Sequence, residues 1–338
     1  MRYVSKSLTL LGFAVVICCI VYPLVLWIIG QTVFPDQANG SIVRGPDGSP
    51  VGSRMIAQPF TKDEYFQPRP SAISYDASAS GPSNLGASNY TLRNRVAASL
   101  GPIVKYRGGA KAGQAVGPDV EAWFAKDTFH GDPHIVAQWA DAHNGVAQAW
   151  VKADPSHTAY VDAWSKDHPQ QVAQWVKDNP DTPAPVAADL AVIFFEDFSK
   201  QNPGKWLATA QHEGADGKPE STVEIVTDGS DLQGTFFDMW RDEHADADLE
   251  PLPADMVMTS GSGLDPNITL DNANYQLDRV AAQWAKDTHR NETDVRREIE
   301  AILERHVTAP FGGLFGTKQV NVLELNLELR RRYGTPAA

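Results

Sequence analysis

Cysteine is nearly absent from this chain: of 338 residues only Cys18 and Cys19 qualify, and both fall inside one apolar run. Everything outside that run therefore has no disulfide framework, no Cys-x-x-Cys redox pair and no cysteine zinc site, so its stability comes from packing. Inside the run, the adjacent pair reads as two small apolar residues. Also lacking are a G-x-x-x-x-G-K-[ST] phosphate loop and an H-E-x-x-H metal helix. Ser260-Gly261-Ser262-Gly263 is not a G-x-S-x-G nucleophile elbow, because Ser260 stands where the first glycine is needed. With no catalytic constellation, a secreted enzyme is the least supported class.

A basic surplus is missing too. The formal net charge is −13, which argues against a nucleic-acid partner. The acidity is concentrated: residues 118–250 carry 25 Asp plus Glu against 8 Lys plus Arg, a balance of −17, leaving +4 elsewhere. That block reads as a separate unit with a solvated helical surface; a second reading is that its field attracts cations. Of the nine histidines, His130, His134, His143, His157 and His168 lie within its repeated-motif part. Only His130 and His134 have i, i+4 spacing, and Asp132-Pro133 between them breaks a shared helix face. The expectation is therefore helix-end capping and surface placement, with no metal site.

Long hydrophobic runs are confined to one. Residues 8–29 contain no charge, and 22 helical residues span about 33 Å, enough for a hydrocarbon core of about 30 Å. A cleaved signal peptide is the competing reading, but its apolar core is shorter and ends in small residues, whereas this run ends Trp27-Ile28-Ile29-Gly30-Gln31-Thr32. The expectation is a retained single-pass helix, kinked locally by Pro23. Arg2 and Lys6 precede it, and the positive-inside bias puts the N-terminus in the cytoplasm and the rest outside the inner membrane.

Beyond the span, Ser41-Ile42-Val43 and Val51-Gly52-Ser53-Arg54-Met55-Ile56 flank Gly45-Pro46-Asp47-Gly48 and read as two strands with a tight turn. Residues 58–89, rich in Pro, Ser, Gly and Asn, predict no regular structure; a short helix follows over 91–100. The acidic block then repeats a motif: Val120-x-x-Trp123, Val136-x-x-Trp139, Val146-x-x-x-Trp150, Val161-x-x-Trp164 and Val172-x-x-Trp175, with Phe237-x-x-Trp240 as a further copy. Each pair shares a helix face, and Asp132-Pro133, Asp154-Pro155 and His168-Pro169 look like helix starts. This predicts short antiparallel helices with their tryptophans packed together in a core, then a helix over 187–200 and one strand over 222–226. Residues 270–289 and 292–306 predict helices. From Leu323 to Leu329 the alternation favours a strand, although Asn321 with Glu324 could cap a helix.

Several segments carry a family likeness. Phe34-Pro35-Asp36-Gln37-Ala38-Asn39-Gly40-Ser41, directly after a single N-terminal span, is one. Others are Tyr65-Phe66-Gln67-Pro68-Arg69-Pro70-Ser71-Ala72, Ser80-Gly81-Pro82-Ser83-Asn84-Leu85-Gly86, and Thr259-Ser260-Gly261-Ser262-Gly263-Leu264-Asp265-Pro266. Pro253-Ala254-Asp255-Met256-Val257, Tyr275-Gln276-x-x-Arg279-Val280-Ala281 and Val320-Asn321-Val322-Leu323-Glu324-Leu325-Asn326-Leu327 belong to the set, as do the shorter Val51-Gly52-Ser53, Gln58-Pro59-Phe60, Tyr75-Asp76-Ala77 and Ser88-Asn89. In order and spacing the chain resembles the C subunit of the bacterial Kdp potassium-transporting ATPase over roughly 1–105 and 250–330; a typical member lacks the block between.

Residues and resemblance together give an α+β protein: cytoplasmic residues 1–6, a transmembrane helix over 7–30, an extracytoplasmic domain over 31–105 and 250–338, and, from its repeats alone since the resemblance is silent on it, a mostly helical, Trp-rich insertion over 106–249. The resemblance implies a non-catalytic subunit of ATP-driven potassium import, assembled with a potassium-binding subunit, a P-type ATPase subunit and a small one-helix subunit. In that family the subunit is described as a catalytic chaperone that raises the ATPase subunit's affinity for ATP. The chain itself lacks the phosphorylated Asp-Lys-Thr-Gly of P-type ATPases. No cofactor is expected to bind tightly; ATP is implied only transiently with the ATPase subunit, and K+ is the substrate of the complex. Candidate partner-contact residues are Phe34, Pro35, Gln37, Asn39 and Gly40 at the membrane exit, then Arg69, Ser260, Gly261, Ser262, Gly263 and Asp265. The plainer readings are that Asn39-Gly40 turns the chain and that Arg69 pairs with a buried carboxylate. The alternative function is a stand-alone, membrane-tethered protein-binding module.

Overall fold

The structure, a computed structural model, describes residues 2–45, 48–213 and 219–334. The turn residues Pro46 and Asp47 lie outside the described residues. The chain divides into two compact units, Met1–Asn84 with Leu252–Ala338, and Leu85–Pro251. The helix Tyr90–Leu100 belongs to the second.

In the first unit, Arg2–Val33 forms one helix long and apolar enough to cross a membrane, with none of its most apolar stretch buried. The kink expected at Pro23 takes the form of a π-helical turn over Ile17–Val21, which leads into the helix Tyr22–Val33 with proline in its first turn. A wider turn there accommodates the proline ring and its missing N–H. The strands Ile42–Arg44 and Pro50–Ser53 then pair antiparallel, Ile42 opposite Ser53. Residues 58–89 contain no helix or strand among those described.

The core of this unit lies between the helices Leu270–Thr288, Glu292–His306 and Val322–Tyr333 and a two-stranded ribbon, Asn267–Thr269 with Gln319–Asn321. It buries Phe66, Ile268, Leu277, Val280, Trp284, Val295, Ile299, Val320, Leu325 and Leu329. Each helix has a side-chain cap: Thr269 accepts from the Asn272 N–H, Asn291 from Asp294 and Asn321 from Glu324. That last cap decides between the two readings left open for 323–329, in favour of the helix that Asn321 with Glu324 allowed. The buried set Val322, Leu323, Leu325, Asn326 and Leu329 has helical spacing, with i, i+3 and i, i+4 pairs throughout. The apparent alternation arises because polar Asn326 is fully buried and Leu327 only half-buried.

In the second unit the five motif copies occupy five consecutive helices, Gly117–Phe124, Ile135–Ala142, Asn144–Ala153, Pro155–Asp167 and Pro169–Asp178. Asp154 caps and Pro155 and Pro169 open helices as expected. Asp132-Pro133 does not; it pairs with Thr128–Phe129, and the helix begins at Ile135 after a left-handed His134 (φ 71°). The tryptophans mostly converge on other aromatics, with few contacts among themselves. Trp139 meets Phe195, Trp206 and Phe236 edge-on at 5.3, 5.2 and 5.9 Å, while Trp206 stacks on Phe195 at 5.5 Å. Phe195 and Phe236 come from the helices Ala191–Gln201 and Ser230–Glu243. Trp206 opens the strand Trp206–Glu213, the partner of Pro219–Val226, where only one strand was expected.

The histidine expectation holds for capping. His143, His168 and His244 sit at helix C-caps with Nδ1 at 3.1, 2.8 and 2.8 Å from the carbonyl oxygens of Trp139, Trp164 and Trp240, four residues back. The imidazoles stack on those indoles. At Trp175 the same position is taken by Asn179, whose Nδ2 donates to the Trp175 carbonyl. Each side chain adds a second contact to a carbonyl that already accepts the backbone N–H of the same capping residue, at 2.9 to 3.0 Å.

Candidate functional site

At the exit of the apolar helix the chain reverses. Phe34 breaks the helix (φ −131°, ψ 53°), Pro35 starts a single turn over Pro35–Ala38, and Gly40 (φ +83°) releases the chain sideways. Asn39 donates through Nδ2 to the Pro35 carbonyl at 2.6 Å and to Gln31 Oε1 at 3.2 Å. Asn39-Gly40 therefore does turn the chain, while Phe34, Pro35 and Gln37 remain exposed.

The turn is held by a residue that sequence reasoning did not single out. Arg54 places Nε 2.5 Å from Glu324 Oε1 and Nη1 3.1 Å from Asp36 Oδ2, and its carbonyl accepts from Asn321 Nδ2 at 2.9 Å. The hydrogen bond to Glu324, aided by both carboxylate charges, raises the guanidinium above its ordinary pKa. Partners 18 and 270 residues away leave no local sequence signal.

The loop 259–265 is stitched to the irregular segment 69–83. Ser260 N–H donates to the Pro70 carbonyl (3.2 Å), Gly81 N–H to that of Ser262 (3.0 Å) and Ser71 Oγ to that of Gly263 (2.7 Å). Arg69 pairs with Asp265 at 3.2 Å and also donates to the Thr259 carbonyl. Both side chains of that pair are half-buried, close to the plainer reading of Arg69. Gly263 (φ +73°) has no room for a side chain: a Cβ there would lie 2.6 Å from Ile73 Cγ1 and 3.2 Å from the Gly81 carbonyl oxygen. Ser260 is buried as well, so Gly261 and Ser262 alone form the exposed tip.

Beneath the loop runs a polar ladder. Asp255 accepts from the Thr269 N–H and Oγ1 and from Asn272 Nδ2, at 2.8 to 3.0 Å. Gln276 Nε2 donates to Asn272 Oδ1 and to the Gln67 carbonyl, and Gln276 Oε1 accepts from the Gln67 N–H. Arg279 donates to Gln276 Oε1 and to the carbonyls of Asp63 and Tyr65. Burial, the largest effect, lowers the pKa of that guanidinium despite Asp63. Side chains thus supply the pairing that a neighbouring strand would give to residues 63–67. The one available signal was polar Asn272 and Gln276 at i, i+4 on an otherwise apolar helix face.

The second unit holds a pocket of about 910 Å³, lined among others by Tyr90, Arg93, Phe129, His143, Asp238 and Asp242. Burial, then the neighbouring Asp242, raises the pKa of Asp238 against the opposing charge of Arg93. Among the described residues no group of three His, Cys, Asp or Glu side chains is placed to hold a metal ion.

The family model described as "KdpC: K+-transporting ATPase, c chain" matches residues 4–152 and 232–331. The interval it leaves out, 153–231, lies inside the acidic block and supplies Phe195 and Trp206 to its core. Among curated proteins, the potassium-transporting ATPase KdpC subunit of Methanosphaerula palustris is 44% identical over 97 residues, 29% of this chain and 52% of the relative. That of Pseudomonas putida is 40% identical over 136 residues, 40% of this chain and 70% of the relative. KdpC subunit 2 of Staphylococcus aureus is 35% identical over 139 residues, 37% of this chain and 75% of the relative. The chain thus spans about half the length of the first and more of the other two.

Proposed function

The chain belongs to the KdpC family, the c chain of K+-transporting ATPases, and from that premise we propose that it is the non-catalytic, membrane-anchored subunit of an ATP-driven potassium importer. The family match, which takes in the N-terminal apolar helix and both halves of the first unit, carries this reading. The positive charges of Arg2 and Lys6 favour a cytoplasmic N-terminus with both compact units outside the inner membrane. The proposed partners are the potassium-binding subunit, the P-type ATPase subunit and the small one-helix subunit.

The proposed action is that of a catalytic chaperone that raises the ATPase subunit's affinity for ATP, with K+ as the cargo of the complex. With the compact units outside, ATP and this subunit act on opposite sides of the bilayer. The effect then passes through packed membrane helices as a coupling free energy between distant sites. The exposed Pro35 and Gln37 at the helix exit and the Gly261-Ser262 tip are the surfaces assigned to partners. Asn39, Gly40, Arg69, Ser260, Gly263 and Asp265 act indirectly, by holding those surfaces in place. Residues 153–231 at least are read as an addition to the common subunit.

The test is affinity purification of the tagged full chain from gently solubilised membranes, with mass identification and an assay of potassium-stimulated ATP hydrolysis. Recovery of a P-type ATPase and a large multi-span partner supports the subunit. Recovery of the chain alone overturns it in favour of a stand-alone tethered binder.

A further inference from the structure

The uncharged run of residues 8–29 ends just before Gly30, and polar Gln31 and Thr32 follow, so this level of the helix marks the edge of the hydrocarbon. The chain then comes back to that level. A Cβ on Gly30 would lie 3.4 Å from the Ala38 Cβ, and Asn39 reaches Gln31 across 3.2 Å. The strand pair is tied to the same place: Ser53 Oγ donates to the Gly40 carbonyl at 2.7 Å and the Arg54 N–H to the Ser41 carbonyl at 3.0 Å. Ile42 and Met55 each lie within two residues of these ties, and Ile42 Cδ1 comes to 3.8 Å from the Cβ position of Gly40.

Three large apolar side chains are exposed around this point, Phe34 (54%), Ile42 (42%) and Met55 (66%). A single exposed apolar residue is ordinary, but these are gathered at the helix exit. Together they offer roughly 300 Å² of apolar surface, short of the ~500 Å² per partner that a specific protein interface needs. The adjoining apolar helix, by contrast, holds them at a bilayer edge at high effective concentration, where a small apolar patch is sufficient.

We infer that the strand pair Ile42–Arg44 and Pro50–Ser53 lies on the lipid surface, with Phe34, Ile42 and Met55 immersed at the headgroup level. This rests on the membrane reading above, and it leaves the side of Pro35 and Gln37 for subunit contact.

The experiment uses the full chain with its copurifying subunits in liposomes. In a Cys18→Ala, Cys19→Ala background, an environment-sensitive fluorophore is attached at Met55→Cys or, separately, Ile42→Cys. Quenching by a shallow nitroxide lipid should exceed quenching by aqueous iodide at least about threefold at both positions. Dominant iodide quenching, which puts the label in water, overturns the inference. So does weak quenching by both, which puts it under protein. The native Cys18 and Cys19, labelled in the unaltered chain, serve as the control. If a deep nitroxide lipid fails to quench them, the membrane span itself is wrong. If it does quench them and positions 42 and 55 behave as water- or protein-covered, this inference alone falls.

Discussion

Asn326 closes both backbone groups of Phe66: the Phe66 N–H donates to Oδ1 at 2.9 Å and Nδ2 donates to the Phe66 carbonyl at 2.8 Å, across 260 residues of sequence. Both residues are fully buried. One amide side chain thereby fixes the irregular segment on the C-terminal helix and sets the Phe66 ring into the core. Gln276 does the same for Gln67.

Asn326→Leu should therefore act locally and strongly. It keeps the branched shape and the number of heavy atoms but leaves a buried N–H and C=O without partners, each costing about 1–3 kcal/mol. Hydrogen exchange followed by mass spectrometry should show protection around residues 63–67 falling at least about 30-fold, which corresponds to ~2 kcal/mol. Unchanged exchange there would mean that the polar ladder does not hold the segment.

These pairings also mark where sequence reasoning stopped. The helix start at Asp154-Pro155 was legible because Asp154 lies two residues from the Ser156 N–H it serves. Asn326, Gln276 and Arg54 find partners more than 200 residues away, and no spacing rule reports that. In the second unit, the tryptophan motif announced helices correctly. It could not reveal that Trp206, outside the motif, would be the centre of the core, nor that the strand it opens pairs with Pro219–Val226. The exposed tip Gly261-Ser262 was included in the candidate site, but the motif could not separate it from its buried neighbours Ser260 and Gly263.

Gly263→Ala tests the stitching of the loop. The residue has φ +73°, and the new methyl would meet Ile73 at 2.6 Å. Backbone strain of order 1–3 kcal/mol adds to the clash. Limited proteolysis within residues 69–83 should accelerate roughly tenfold or more. Adding Ile73→Ala should restore part of the resistance, because it removes the clash and leaves the strain.

Glu298 gives a pH dependence with a defined sign. Hydrogen bonds from Arg290 first, and then from Arg332 and Tyr333, pull its carboxyl down to about 2, from an ordinary 4.5. The folded form thus favours the ionised carboxylate. The stabilisation is present above pH 4.5 and is lost as pH falls from there toward 2. Arg332 and Tyr333 end the C-terminal helix, so that helix end should loosen first in acid, as read by hydrogen exchange across residues 328–334. Glu298→Gln should loosen the same end at pH 7 and remove its acid dependence. The effect should be small, since exposed pairs contribute little.

The two-unit division makes a deletion informative. The helix Tyr90–Leu100 buries Leu92, Ala97 and Leu100, and Gly101 leaves room for a Cβ only 3.0 Å from the Phe237 Cβ, so this helix packs on Ser230–Glu243. Removing residues 112–248 would strip away that partner and expose an apolar helix face, a recipe for aggregation. Removing 85–251 follows the unit boundary. Thr259 Oγ1 donates to Ser83 Oγ at 3.0 Å, so Asn84 and Leu252 are separated by no more than the reach of the seven residues from Leu252 to Thr259, and a flexible Gly/Ser linker can join them. The 85–251 deletion should therefore be extracted from membranes as a monodisperse species and copurify with the same partners as the intact chain, whereas the 112–248 deletion should aggregate. If the 85–251 deletion is soluble and well folded yet loses its partners, the acidic unit takes part in assembly, and its pocket beside Arg93 and Asp238 becomes the surface to mutate next.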